Sequence, residues 1–133
     1  MADRSAQILG ADMNRANYIG APEFFELNQA CVILTEAFGH NVYLVGSSIE
    51  RRDYRDVDVR CILEDDEYTR LFTDPLFTTH NPLWSLMCCS ISLWLSKRTG
   101  LKIDFQFQQQ TTANDTYPAR PRHALGIFLR REQ

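Results

Sequence analysis

The apolar positions of the chain change their period several times, and each change predicts an element. Over residues 22–38, Phe24, Leu27, Cys31, Leu34 and Phe38 recur at helical spacing and form one apolar stripe. Pro22 suits the first turn of that helix and Gly39 its stop. The run VYLV at 42–45, bounded by Asn41 and Gly46, predicts a short buried strand. Polar residues 47–55, with Ser47 as cap, predict a turn opening a short helix. Period two then takes over: Val57, Val59, Cys61 and Leu63 point one way, while Asp56, Asp58, Arg60 and Ile62 point the other.

After the acidic EDDE stretch, residues 67–72 read as helical. A longer apolar helix starts with Asn81 as cap and Pro82 as first residue, runs to about Lys97 and ends at Gly100. In LKIDFQFQ the alternation returns, with Leu101, Ile103, Phe105 and Phe107 on one face and Lys102, Asp104, Gln106 and Gln108 on the other. The polar, turn-rich residues 109–122 predict a long loop, and HALGIFLRR a short last strand or helix. The element order predicts a mixed α/β fold without internal repeats: a single domain over residues 1–133, with 1–21 as a lead segment.

Composition narrows the function classes. A length of 133 residues, 44% hydrophobic and 23% charged, suits one globular domain with a sizeable core. A net charge of −3 argues against a surface that tracks nucleic acid throughout, yet leaves a local basic patch of Arg120, Arg122, Arg130 and Arg131 against Glu132. That patch reads either as a solvated tail or as a phosphate or RNA contact. Cys31, Cys61, Cys88 and Cys89 lie in apolar runs without CxxC spacing and read as buried free thiols. With an N-terminal stretch that lacks a continuous apolar core, they point to a cytoplasmic setting. The apolar residues 83–95 fall short of the roughly 20 that span a bilayer, so they read as a core helix, with one face available to a subunit interface.

Candidate chemistry centres on Asp56 and Asp58. Carboxylates at i and i+2 of a strand project side by side and suit a hard divalent cation, although two solvated aspartates at a strand edge give the same pattern. Gly46-Ser47-Ser48 follows a strand and opens a helix, where close backbone approach and free N–H groups favour phosphate. Asp104 sits mid-strand, where β-branched or aromatic residues are the norm. If its strand neighbours 57–63, three carboxylates converge. Lys102 lies on the same face and would neutralise them. His40, His80 and His123 lack metal spacing and read as surface or capping residues, and Tyr54 and Tyr117 as packing beside a loop.

The combination VYLVGSS, DVDV and KIDF, an apolar strand with Gly-Ser, an apolar-flanked Asp-x-Asp and a later isolated aspartate, resembles the DNA-polymerase-β-type nucleotidyltransferase superfamily, in particular its small single-domain members. The resemblance covers roughly residues 24–108. It implies a mixed short sheet of three or more strands flanked by helices. It also implies Mg²⁺ or Mn²⁺ held by Asp56, Asp58 and Asp104, with Asp104 also helping to deprotonate the acceptor. Gly46, Ser47 and Ser48 would hold the phosphates of a nucleoside triphosphate, with Arg51 and Arg52 as further candidates. The acceptor would be a hydroxyl of a protein, RNA or small molecule, reached alone, as a homo-oligomer or with a partner protein. The chain departs from the pattern at Arg51-Arg52, where relatives place a glycine, and at Arg55 just before Asp56. A solvent-facing pairing of these arginines with Glu50 and Asp53 competes with phosphate contact. Two other classes remain open: an inactive nucleotide- or partner-binding module of toxin–antitoxin type, and a nucleic-acid-binding domain using the arginine tail.

Overall fold

The computed structural model of the chain describes residues 17–72, 81–116 and 121–126. Its elements are α1 (Ala21–Phe38), β1 (Val42–Val45), α2 (Ser47–Glu50), β2 (Val57–Leu63), α3 (Asp65–Phe72), α4 (Pro82–Thr99), β3 (Ile103–Gln109), α5 (Gln110–Thr116) and β4 (His123–Leu125). The strands form one mixed sheet in the order β3-β2-β1-β4, with β2 and β3 parallel and the other two pairs antiparallel. The mixed α/β class expected from the alternation is the fold of the protein.

Among the described residues, one sheet face is covered and the other is half-exposed. Val57, Val59, Cys61 and Leu63 of β2 meet Ile103, Phe105 and Phe107 of β3 in a core closed by Leu27, Cys31 and Leu34 of α1 and by Cys88 and Leu95 of α4. Phe107 is the aromatic hub, within 4.9–5.5 Å of the rings of Phe38, Phe72 and Phe105. Asp58, Arg60, Asp104, Gln106 and Gln108 point to the opposite, half-exposed face. Strand geometry accounts for the split, since successive side chains alternate sides.

Helix α4 does more than cover the core, because β3 is an edge strand and α4 closes that edge. Ser92 Oγ accepts the Phe105 N–H at 2.8 Å and donates to the Phe105 carbonyl at 3.3 Å. Ser96 Oγ does the same for Ile103, at 3.0 and 3.5 Å. The Phe107 backbone bonds Cys88, and Trp84 Nε1 donates to the Phe107 carbonyl at 3.0 Å. Residues four apart on a helix advance about 6 Å and residues two apart on a strand about 6.6 Å, so Cys88, Ser92 and Ser96 keep step with Phe107, Phe105 and Ile103. An edge of unpaired amides is thereby satisfied within the chain.

Most predicted boundaries lie within two residues of the structure. The short helix expected to open at Ser47 spans Ser47–Glu50. Two expectations need correction. The supposed loop 109–122 contains α5, whose start is tied to α3 by Thr111: its N–H donates to Asp65 Oδ1 at 2.9 Å and its hydroxyl to Asp65 Oδ2. Cys89 is exposed while Cys88 is buried, as successive helical residues point about 100° apart. Burial pushes the thiols of Cys31 and Cys61 up to about 12, so both stay protonated. No described helix is long and apolar enough to cross a membrane. Residues 1–16 of the expected 1–21 lead segment, His80, Tyr117, Arg120 and the arginines of the last stretch lie outside the described residues.

Candidate active site

The parallel register of β2 and β3 sets Asp58 directly beside Asp104. On the other flank, β1 runs antiparallel and brings Val45 level with Asp58, so the chain turns at Gly46 against the Asp58 carboxylate. Gly46 has φ +82° and ψ −154°, a conformation that side chains disfavour, and a Cβ there would come within 2.4 Å of Asp58 Oδ2. The Gly-Ser turn and the second aspartate of DVD are therefore in direct contact.

Asp56 stands just before β2, with its Oδ1 3.4 Å from Lys102 Nζ. Between Asp58 and Asp104 lies a residue that the pattern put on this face without a role: Arg60. Its Nη1 donates to the carbonyls of Asp104 at 2.7 Å and Val59 at 3.1 Å, and its Nη2 is 3.5 Å from Asp104 Oδ2 and 3.8 Å from Asp58 Oδ1. The Arg60 side chain is only 12% exposed, against 26% for Asp58 and 48% for Asp104. Asp58 titrates above the ordinary carboxylate range. Burial is the main cause, the Arg60 charge opposes it, and the charges of Asp104 and Asp56 add to it.

The open face carries a concavity of about 390 Å³ lined by Gly46, Asp58, Arg60, Gln106, Gln108 and Arg122. Asp104 borders a second, more apolar groove of about 470 Å³ between β3 and α4. Ser47 is half-buried at the turn, whereas Ser48 is fully buried, its carbonyl accepting the Tyr18 N–H at 2.7 Å. Arg51 and Arg52 are exposed: Arg51 Nε lies 3.4 Å from Asp53 Oδ1, and the Arg52 guanidinium stacks 5.7 Å from the Tyr18 ring. Neither lines the concavity among its described residues. His40 pairs with Glu67, and His123 lies against Phe24 and 3.4 Å from Asn17.

No family model, curated protein or solved structure matches the chain.

Carboxylates are the donor chemistry of a hard divalent cation, and Asp58 stands beside Asp104 and the Gly46 turn. The side chains are not drawn into a coordination shell: among the described residues no group of three or more His, Cys, Asp or Glu is placed to hold a metal ion. Arg60 and Lys102 engage the carboxylates instead. Arg60 and Arg122 also line the concavity, and neither was among the residues expected to form the site. The signal for Arg60 was its parity with Asp58. For Arg122 it was only membership of a basic tail.

Proposed function

We propose that the protein is a metal-dependent nucleotidyltransferase that moves a nucleoside monophosphate from a nucleoside triphosphate to a hydroxyl of a protein, RNA or small molecule. The observation that carries this reading is the side-by-side register of Asp58 and Asp104 with the Gly46 turn packed on the Asp58 carboxylate. Asp56, Asp58 and Asp104 would hold Mg²⁺ or Mn²⁺, which when bound supplies charge neutralisation to the attacking and leaving oxygens. Asp104, nearly half exposed, would take a proton from an acceptor hydroxyl. Gly46 lets the turn pack against the Asp58 carboxylate, which a side chain there would displace. Free cysteines, with no disulfide among the described residues, support a cytoplasmic setting.

The test is incubation with Mg²⁺ or Mn²⁺, each labelled triphosphate and candidate acceptors. Transfer that falls at least about a hundredfold in Asp56→Asn, Asp58→Asn and Asp104→Asn supports the reading. A second reading rests on Arg60 and Lys102, which already balance the carboxylates: a module that keeps the fold and binds a nucleotide or a partner protein without chemistry. Absence of transfer with every triphosphate, together with partner or nucleotide binding unaffected by the aspartate variants, decides for the second.

A further inference from the structure

The two arginines of the concavity differ in how their charge is met. Arg60 is satisfied from within, by two carbonyls and two carboxylates. Arg122 is half-buried, and no hydrogen bond or ion pair joins it to another described residue. It stands where two concavities meet, one of about 390 Å³ with Gly46 and Asp58, the other of about 180 Å³ with Tyr43 and His40. The carboxamides of Gln106 and Gln108 line the first of these and are likewise without partners among the described residues. A partly desolvated guanidinium beside unpaired amides is an unfavourable arrangement unless an anion completes it.

Register says where that anion would lie. Strand β4 pairs with β1 so that His123 faces Leu44. One step on, Arg122 comes level with Val45, immediately before the Gly46 turn. The guanidinium fork and the glycine turn thus flank one spot, on the β1 side of Asp58. Arg51 and Arg52 face solvent elsewhere.

From this placement we infer that Arg122 is the polyphosphate-binding residue of the site, holding the phosphates of a nucleoside triphosphate while Gln106 and Gln108 bond oxygens or ring atoms farther along the same molecule. The inference rests on the nucleotidyltransferase reading for the identity of its ligand, and it assigns to a residue of the basic tail the role that the loop arginines were expected to fill. Planar, bidentate pairing with phosphate oxygens suits arginine better than lysine.

The experiment is calorimetric binding of inorganic tripolyphosphate, and of each nucleoside tri-, di- and monophosphate, to the full chain and its variants. Arg122→Gln is expected to weaken tripolyphosphate and triphosphate binding about tenfold or more, the effect of losing one charge-assisted contact. Arg122→Lys retains part of the affinity, and Arg51→Gln with Arg52→Gln leaves it at the parental level. Parental affinity in Arg122→Gln overturns the assignment, as does an equal loss in the Arg51/Arg52 double variant. Should the glutamine variant fail to fold, by its thermal melt, the lysine variant decides alone, and parental affinity there overturns it. Failure of the underlying reading is separately visible. Tripolyphosphate binding that needs Arg122 in a protein without any transferase activity keeps the anion site and removes the enzyme. Transfer that needs Asp58 but not Arg122 does the reverse.

Discussion

Replacing Arg60 by methionine removes the charge between two carboxylates while keeping most of the side chain's length. At 3.5 and 3.8 Å, each attraction amounts to about 4–5 kcal/mol at an effective dielectric constant near 20. Desolvation of the guanidinium cancels much of that, and the half-exposed Asp104 is screened by water. We expect a net loss of about 2 kcal/mol at neutral pH, seen as a fall of roughly 6–10 °C in melting temperature for a domain of this size. The sign of the pH dependence is fixed by Asp58. Its folded-state carboxyl is raised, through burial first, and Arg60 opposes the rise. A raised carboxyl costs stability once pH exceeds its folded value, and removing Arg60 enlarges that cost. The variant should therefore lag the parent most at neutral and alkaline pH and approach it in acid, as Asp58 takes up its proton.

Thermal melts of parent and Arg60→Met between about pH 5 and pH 8 check this. A variant as stable as the parent across that range, or a gap that widens in acid, refutes the reasoning. The same variant tests the proposed cation site. With the resident positive charge gone, Mn²⁺ should recover more stability in Arg60→Met than in the parent, because the ion then fills an uncompensated pair.

Four further outcomes are expected. In the parent, Mn²⁺ should raise the melting temperature at pH above the Asp58 transition and lose that effect below it, since a protonated carboxyl is a poor ligand; differential scanning calorimetry with and without Mn²⁺ measures this. Gly46→Ala, with a Cβ 2.4 Å from Asp58 Oδ2 and φ +82°, should displace Asp58 and abolish the Mn²⁺ shift even where the fold survives by circular dichroism. Gly126→Ala should cost at least about 2 kcal/mol in urea unfolding, because φ is +72° and a Cβ would sit 2.6–2.8 Å from the backbone of Cys31 and Val32 in α1. Ser92→Ala should cost about 1–2 kcal/mol in the same assay by leaving the Phe105 edge amide unpaired, and Ser92→Val more, as it also bars water.

Periodicity made much of this fold readable. The alternation through Val57–Leu63 and Ile103–Gln109 carries strands, faces and core together, since a slip of one residue would have buried Asp58 and Asp104. Asn81 and Pro82 marked the start of α4 because a cap and a fixed φ act locally; the Asn81 side chain accepts the Trp84 N–H at 3.0 Å. Helix α5 escaped because its Thr, Asn and Asp residues are weak helix formers, and its start is held by a carboxylate far away in sequence, Asp65.

Pairing across strands is what alternation leaves out. Parity put Asp56, Asp58 and Arg60 on one face, but only the parallel register with β3 brings the guanidinium to Asp104, and only the antiparallel return of β4 brings Arg122 to the Gly46 turn. The loop arginines suggested phosphate contact by their nearness in sequence to Gly-Ser. A one-turn helix closed by the Arg51 N–H donating to the Ser47 carbonyl at 2.8 Å sends the chain outward at that point, so Arg51 reaches Asp53 and not the concavity. The charges that shape the site therefore come from the strand carrying the aspartates and from the far end of the described chain, where long-range pairing and not local spacing sets position.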